Sequence, residues 1–118
     1  MPIYTTNGEV GALYFPPFLY NCQGEWIGWV TAERDVYSVH GNYVGKLNND
    51  ARITRPRTYD YSHPPVEPPT DVPHISPPAH FPLPPMLPDL TYNLVDVLEE
   101  APELLPTSDY DDLRQDMD

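Results

Sequence analysis

Along the first half of the chain, apolar and polar positions fall into a phrase written three times: an aliphatic residue and a tyrosine, three intervening positions, then glycine. Ile3-Tyr4 leads to Gly8, Leu19-Tyr20 to Gly24 and Val36-Tyr37 to Gly41, at steps of 16 and then 17 residues. Self-similarity at a fixed short period identifies a repeat architecture. Each phrase continues into a second stretch containing a small residue: Gly11-Ala12, Trp26-Ile27-Gly28-Trp29 and Tyr43-Val44-Gly45. Asn7-Gly8 is a two-residue hairpin signal, because a type I′ turn needs positive φ at both central residues. Gln23-Gly24 and His40-Gly41 occupy the same slot, and His40 reads as a turn residue tolerant of positive φ. Counting outward from such turns places Tyr4, Tyr20 and Tyr37 opposite Gly11, Ile27 and Val44. It also places Ile3, Leu19 and Val36 opposite Ala12, Gly28 and Gly45, an aliphatic against a small residue each time, as a crowded centre requires. A longer turn would shift this register.

A further step of 17 from Val36 reaches Ile53, with Thr54 and Thr58 in the Tyr and Gly slots. A worn fourth unit is therefore expected, its aromatics supplied late by Tyr59 and Tyr61. The units lie near residues 3–14, 19–30, 36–47 and 53–61. Single hairpins are unstable in water, so these must share a core. The predicted fold is all-β: a pseudo-four-fold array of short hairpins forming a small closed or shallow barrel, which protects its edges. An extended Pro-rich tail and a short C-terminal amphipathic helix follow.

Tyr4-x-x-x-Gly8, Tyr20-x-x-x-Gly24 with Trp26-Ile27-Gly28-Trp29, Tyr37-x-x-x-Gly41 with Tyr43-Val44-Gly45, and the prolines after His63 together resemble the four-fold β-flower domain family. Its members are small bacterial proteins of four hairpin repeats, often with a Pro-rich tail and largely without assigned function. The resemblance covers roughly the first half of the chain. It implies a fold similar to tubby-like barrels without their central helix, and with it ligand or lipid-headgroup binding at the barrel mouth. The Thr residues of the fourth unit depart from the pattern.

Composition divides the 118 residues into a repeat domain (1–62), a Pro-rich spacer (63–88) and an acidic segment (89–118). Eleven prolines fall between Pro64 and Pro88, and ten acids against the single base Arg114 follow from Asp89, which accounts for most of the net charge of −12. Such strings bury too little apolar surface to offset ordering entropy by themselves. A 60-residue β domain is itself marginal, so oligomerisation or docking of the tail would help it. The acidity opposes nucleic-acid binding, for which Arg52, Arg55 and Arg57 are the only basic cluster. The longest apolar run, Ala12 to Tyr20, is nine residues with two prolines inside it, against about 20 for a membrane span. One cysteine and no basic-then-apolar leader make a cytoplasmic location the expectation.

Catalytic chemistry has no visible constellation. His40, His63, His74 and His80 lack metal-ligand spacing, and Cys22 lacks a neighbouring base. No carboxylate pair reads as acid and base. A non-enzyme without cofactor or metal is expected. Trp26 and Trp29, with Tyr20 and Tyr37, could stack on a ligand, although a small domain also needs large side chains for its core. Their spacing of three puts the two tryptophans on opposite faces of a regular strand.

The tail carries the clearer interaction signal. Pro65-x-x-Pro68, Pro82-x-x-Pro85 and Pro85-x-x-Pro88, with Phe81 in front of prolines, have the form of extended ligands for aromatic grooves. Alternatively the stretch is a stiff spacer of up to about 75 Å, or lies back over the β domain. From Asp89, Leu90, Leu94, Val97, Leu98 and Ala101 form a helical stripe near residues 89–101, ended by Pro102. Such a helix is marginal alone and should order on an apolar groove with a basic rim. That partner is another protein, a second copy or the chain's own β domain. Phe81, Leu90, Leu94, Val97 and Leu98 are the candidate contacts.

Overall fold

Among the described residues, eight short strands form one curled antiparallel sheet, a half-barrel in which each strand pairs with its neighbour in sequence. They are β1 (Pro2–Tyr4), β2 (Val10–Phe15), β3 (Phe18–Tyr20), β4 (Trp26–Val30), β5 (Asp35–Ser38), β6 (Tyr43–Leu47), β7 (Ile53–Pro56) and β8 (Leu94–Asp96). The structure, a computed structural model, describes residues 1–57, 65–70, 72–76, 78–84, 86–91 and 93–107.

The aliphatic-to-small pairing of the repeat is present in all three hairpins: Ile3 faces Ala12, Leu19 faces Gly28 and Val36 faces Gly45. Small residues are required there. A Cβ on Gly28 would lie 2.2 Å from the Tyr37 carbonyl oxygen, and one on Gly45 would lie 2.4 Å from that of Thr54. Ile3, Leu19, Val36 and Ile53, the aliphatic of each phrase, are fully buried in one cluster with Ala12, Ile27, Val30, Val44 and Leu47.

The tyrosine pairing differs from expectation. Tyr4 faces Val10, Tyr20 faces Trp26 and Tyr37 faces Tyr43, with a register shift in each hairpin that leaves Gly11, Ile27 and Val44 as the extra residue. The cause is the turn. Only Gly8, Gly24 and Gly41 have positive φ in these loops, so the type I′ reading, and positive φ at His40, are incorrect. Thr5 N–H instead donates to Glu9 O and Gly8 N–H to Thr5 O, and the same two bonds recur at Asn21/Glu25 and Ser38/Asn42. This is a three-residue loop with one left-handed residue, which needs a single positive φ and introduces a bulge. The turns headed by Thr31 and Asn48 have the same bonds, with Arg34 (φ 69) and Ala51 (φ 63) in the glycine slot. The polar head of four of these turns also satisfies loop amides: Thr5, Thr31 and Ser38 with a hydroxyl oxygen and Asn21 with Oδ1.

β7 takes its outer partner from far along the chain. Thr54 pairs with Asp96, Arg55 with Val95 and Pro56 with Leu94. Tyr59 and Tyr61, expected to complete a fourth unit, lie outside the described residues. The helix expected near 89–101 is corrected accordingly: 94–96 are strand, and among the described residues of the stretch only Val97–Glu100 form a helix, α1, followed by a 3-10 turn at Pro102–Leu104. The physical reason is competition. A dozen isolated helical residues are marginal, whereas the edge of β7 offers unpaired backbone groups to an extended chain.

β1 and β8, the two edges, are bridged by side chains. Asp96 Oδ2 accepts from the Thr6 N–H at 2.8 Å and from its hydroxyl at 2.7 Å. Arg52, 2% exposed, donates to Thr6 Oγ1 and Pro88 O and to the Asp50 carboxylate. A guanidinium can be buried this deeply because its donors are met.

Candidate functional site

The bulges decide where the aromatic side chains go. Residues facing each other across a ladder share a face, and so do alternate residues of a strand. Phe18 faces Trp29 and Tyr20 faces Trp26, so both tryptophans lie on the same side of the sheet, the side opposite Leu19 and the core. The expectation of opposite faces fails because Ile27 is the bulge residue, and one extra residue between Trp26 and Gly28 reverses the parity. The same ladder carries Leu13, Phe15, Tyr37 and Tyr43 onto this face. Trp29 is buried and stacks on Tyr37 with ring centroids 5.3 Å apart, Tyr43 meets Tyr37 edge-on at 5.7 Å, and Phe15 meets Tyr20 edge-on at 6.1 Å. Trp26 is half-buried and donates from Nε1 to Gly28 O at 2.7 Å.

The Pro-rich segment passes over these repeats in reverse order. Val66 N–H donates to Gly41 O at 2.8 Å, the Tyr20 hydroxyl donates to Pro73 O at 2.5 Å, and the Tyr4 hydroxyl donates to Pro82 O at 2.6 Å. Arg52 then takes Pro88 O at 2.8 Å. Among the described residues, the stretch read as a stiff spacer or as lying back over the β domain is tied to its own domain at these four points, in the manner of a strap. Burial pushes the Tyr20 hydroxyl above its ordinary pKa, keeping it a donor. A cleft of about 260 Å³ lies between strap and sheet, bounded by Tyr20, Trp26, Pro73 and His74.

The five residues expected to meet a partner are dispersed. Val97 is completely buried in the chain's own core, and Leu98 packs where a Cβ on Gly11 would lie, 2.9 Å away. Leu94 is a half-buried strand residue, and Phe81 and Leu90 are half-buried along the strap. They do not form one free helical face. Of the four aromatic ligand candidates, Tyr20 and Trp26 line the cleft, while Trp29 and Tyr37 stack on each other.

Several residues that shape this surface carried no sequence signal. Leu105 joins the core and lies against Gly28, and Arg52 and Asp96 hold the seam. The Cys22 thiol points to Val10 O at 3.4 Å, and burial raises its pKa, the opposite of an activated nucleophile. Among the described residues no group of three or more His, Cys, Asp or Glu is placed to hold a metal ion, and no helix is long and apolar enough to cross a membrane. Comparison with protein-family models, curated proteins and solved structures returns no match.

Proposed function

We propose that this chain is a non-enzymatic protein-interaction module, an accessory or scaffold protein of the bacterial cytoplasm, whose β domain displays its own Pro-rich segment to a partner. The supporting observation is the contrast between the strap's anchors and what lies between them. Pro82 is held by Tyr4 and Pro88 by Arg52, while Leu83 and Met86 between them are 92% and 101% exposed. Burying two such side chains in a partner stabilises a complex by roughly 1.5–3 kcal/mol each, and the fixed ends lower the ordering cost. With the acids of residues 89–118, the fitting partner has an apolar groove and a basic rim. Within this reading the pairing of β7 with β8 serves as the fourth unit of a β-flower-like array, completed by residues 94–96.

Crosslinking in cells tests it. Leu83→Asp together with Met86→Asp should abolish the partner adduct while leaving thermal stability unchanged; an unchanged adduct sinks the reading.

The cleft between Tyr20, Trp26 and the strap favours a second reading, a small-ligand site for a planar or headgroup-sized molecule. Trp26 fluorescence in a metabolite and lipid screen is the discriminating measurement. A saturable response that survives the Leu83/Met86 substitutions supports this second reading.

A further inference from the structure

Between the turn after β1 and the short helix that follows β8 lies a hollow of about 380 Å³. Asp96 lies deepest in it, Glu99 and Glu100 are exposed at its mouth, and Leu90 and Leu94 give it an apolar wall. Arg57 stands beside Glu100, its Nη2 3.6 Å from Oε2, so three carboxylates bound the hollow against one guanidinium. The Asp96 carboxylate is only half met. Oδ2 accepts both hydrogen bonds from Thr6, whereas Oδ1 is buried and, among the described residues, has no hydrogen-bond partner. A buried carboxylate oxygen without a donor is costly, and a cation placed against it offsets that cost. At 2% exposure, Asp96 admits only a slim group.

From this we infer that the hollow is a binding position for a primary alkylammonium. An ammonium is a compact charge with three donors on an unbranched stem. One donor suits Asp96 Oδ1 and the others suit the Glu99 and Glu100 carboxylates. The methylenes lie along Leu90 and Leu94, as such stems do on apolar surface. A guanidinium is planar and broader, and Arg57 already supplies one at the mouth. A metal ion fits less well, since among the described residues no three His, Cys, Asp or Glu are placed to hold one. The expected source is a lysine on the basic rim of the partner. For that source the inference rests on the interaction reading above, whereas the site itself does not.

The test uses the full chain, ¹⁵N-labelled, at constant ionic strength, with two probes: Nα-acetyl-lysine methylamide and 1,4-diaminobutane. The reporter is the Thr6 amide, which donates to Asp96. The expected result is a saturable Thr6 shift in the millimolar range, absent with tetramethylammonium, which has no N–H to donate. Glu99→Gln should weaken binding roughly two- to five-fold, the effect of one exposed ion pair. Glu103→Gln, which removes an equally exposed acid outside the hollow, should leave the affinity unchanged. Asp96→Asn should abolish the shift; where that variant does not fold, the comparison of Glu99→Gln with Glu103→Gln decides. A response to the lysine derivative assigns the site to a protein side chain, and a response to the diamine alone assigns it to a free amine. No Thr6 shift with either probe, an equal shift with tetramethylammonium, or equal affinities in Glu99→Gln and Glu103→Gln would overturn the inference. None of these outcomes depends on the Leu83 and Met86 crosslink, so the two readings fail separately.

Discussion

Asp96 accepts two hydrogen bonds from Thr6, a residue 90 positions earlier, one from its amide and one from its hydroxyl. That hydroxyl also accepts from Arg52 Nη1 at 3.0 Å, so a charged relay runs from Arg52 through Thr6 to Asp96 across the two edges of the sheet. Main-chain pairing builds the half-barrel strand by strand; side chains hold its ends together. All three residues are buried or half-buried, where an unmet polar group costs more than a met one contributes.

Thr6→Val keeps the amide and the shape but cuts the relay, and should destabilise the domain by about 2 kcal/mol. Arg52→Met should cost about 3 kcal/mol, since it strands the Asp50 carboxylate and frees Pro88 O. The two are hydrogen-bonded to each other, so the double variant should lose less than the sum. Urea denaturation of the four proteins checks this. Full additivity would mean that the edges are not coupled through Thr6.

Gly45→Ala and Gly11→Ala separate two kinds of crowding. The new Cβ at Gly45 meets the Thr54 backbone at 2.4 Å and has nowhere to go, so a loss of about 3 kcal/mol or failure to fold is expected. At Gly11 it meets only the Leu98 side chain, at 2.9 Å. There the β core should survive with a loss of about 1 kcal/mol, and amide exchange in α1 should quicken as Leu98 is displaced.

Much of the core was legible because the aliphatic phrase carries burial directly: the same step that reached Ile3, Leu19 and Val36 reached Ile53, and all four are fully buried. The turn was misread because glycine before a strand fits two loop lengths, and the polar head residues that select the longer one look like ordinary strand ends. That one-residue error placed the tyrosines wrongly; the bulge at Ile27, which a spacing of three does not reveal, is what puts the two tryptophans on one face. The stretch Leu94-Val95-Asp96 reads equally as part of a helical stripe or as strand, and the edge of β7 decides between them. That the Pro-rich stretch lies back over the β domain was one of its possible readings, but its anchor points left no trace, since their acceptors are backbone carbonyls, which every residue has.

Gly41→Ala and Gly8→Ala measure the strap's hold at the third repeat. Both replace a glycine at positive φ (84 and 91), which by itself costs an alanine about 1–2 kcal/mol. At Gly8 the new methyl makes ordinary contact with Pro84 Cγ at 3.5 Å, whereas at Gly41 it would lie 1.9 Å from the Val66 carbonyl oxygen. Gly41→Ala should therefore detach the strap around Val66, seen as protease cleavage near that residue, and Gly8→Ala should not. Equal cleavage patterns would show that the Val66 contact does not hold the segment.

Alkaline titration reads the strap at Tyr20. Burial raises the pKa of this hydroxyl, so the protonated form is favoured by folding. The sign follows: the contribution to stability is fully present below the unfolded value of about 10 and is lost as pH rises through the higher folded value. A tyrosinate cannot donate to Pro73 O and would face that carbonyl as an anion, so the strap should loosen at the same time. Lys46, whose pKa is raised by a hydrogen bond and the charge of Asp35, loses stability in the same direction. It does so equally in wild type and Tyr20→Phe, so the difference between the two isolates the tyrosine. Near neutral pH the Phe variant should be less stable by about 1 kcal/mol, and its stability should fall less steeply above pH 10. Parallel curves of stability against pH would mean that Pro73 is not held by the Tyr20 hydroxyl.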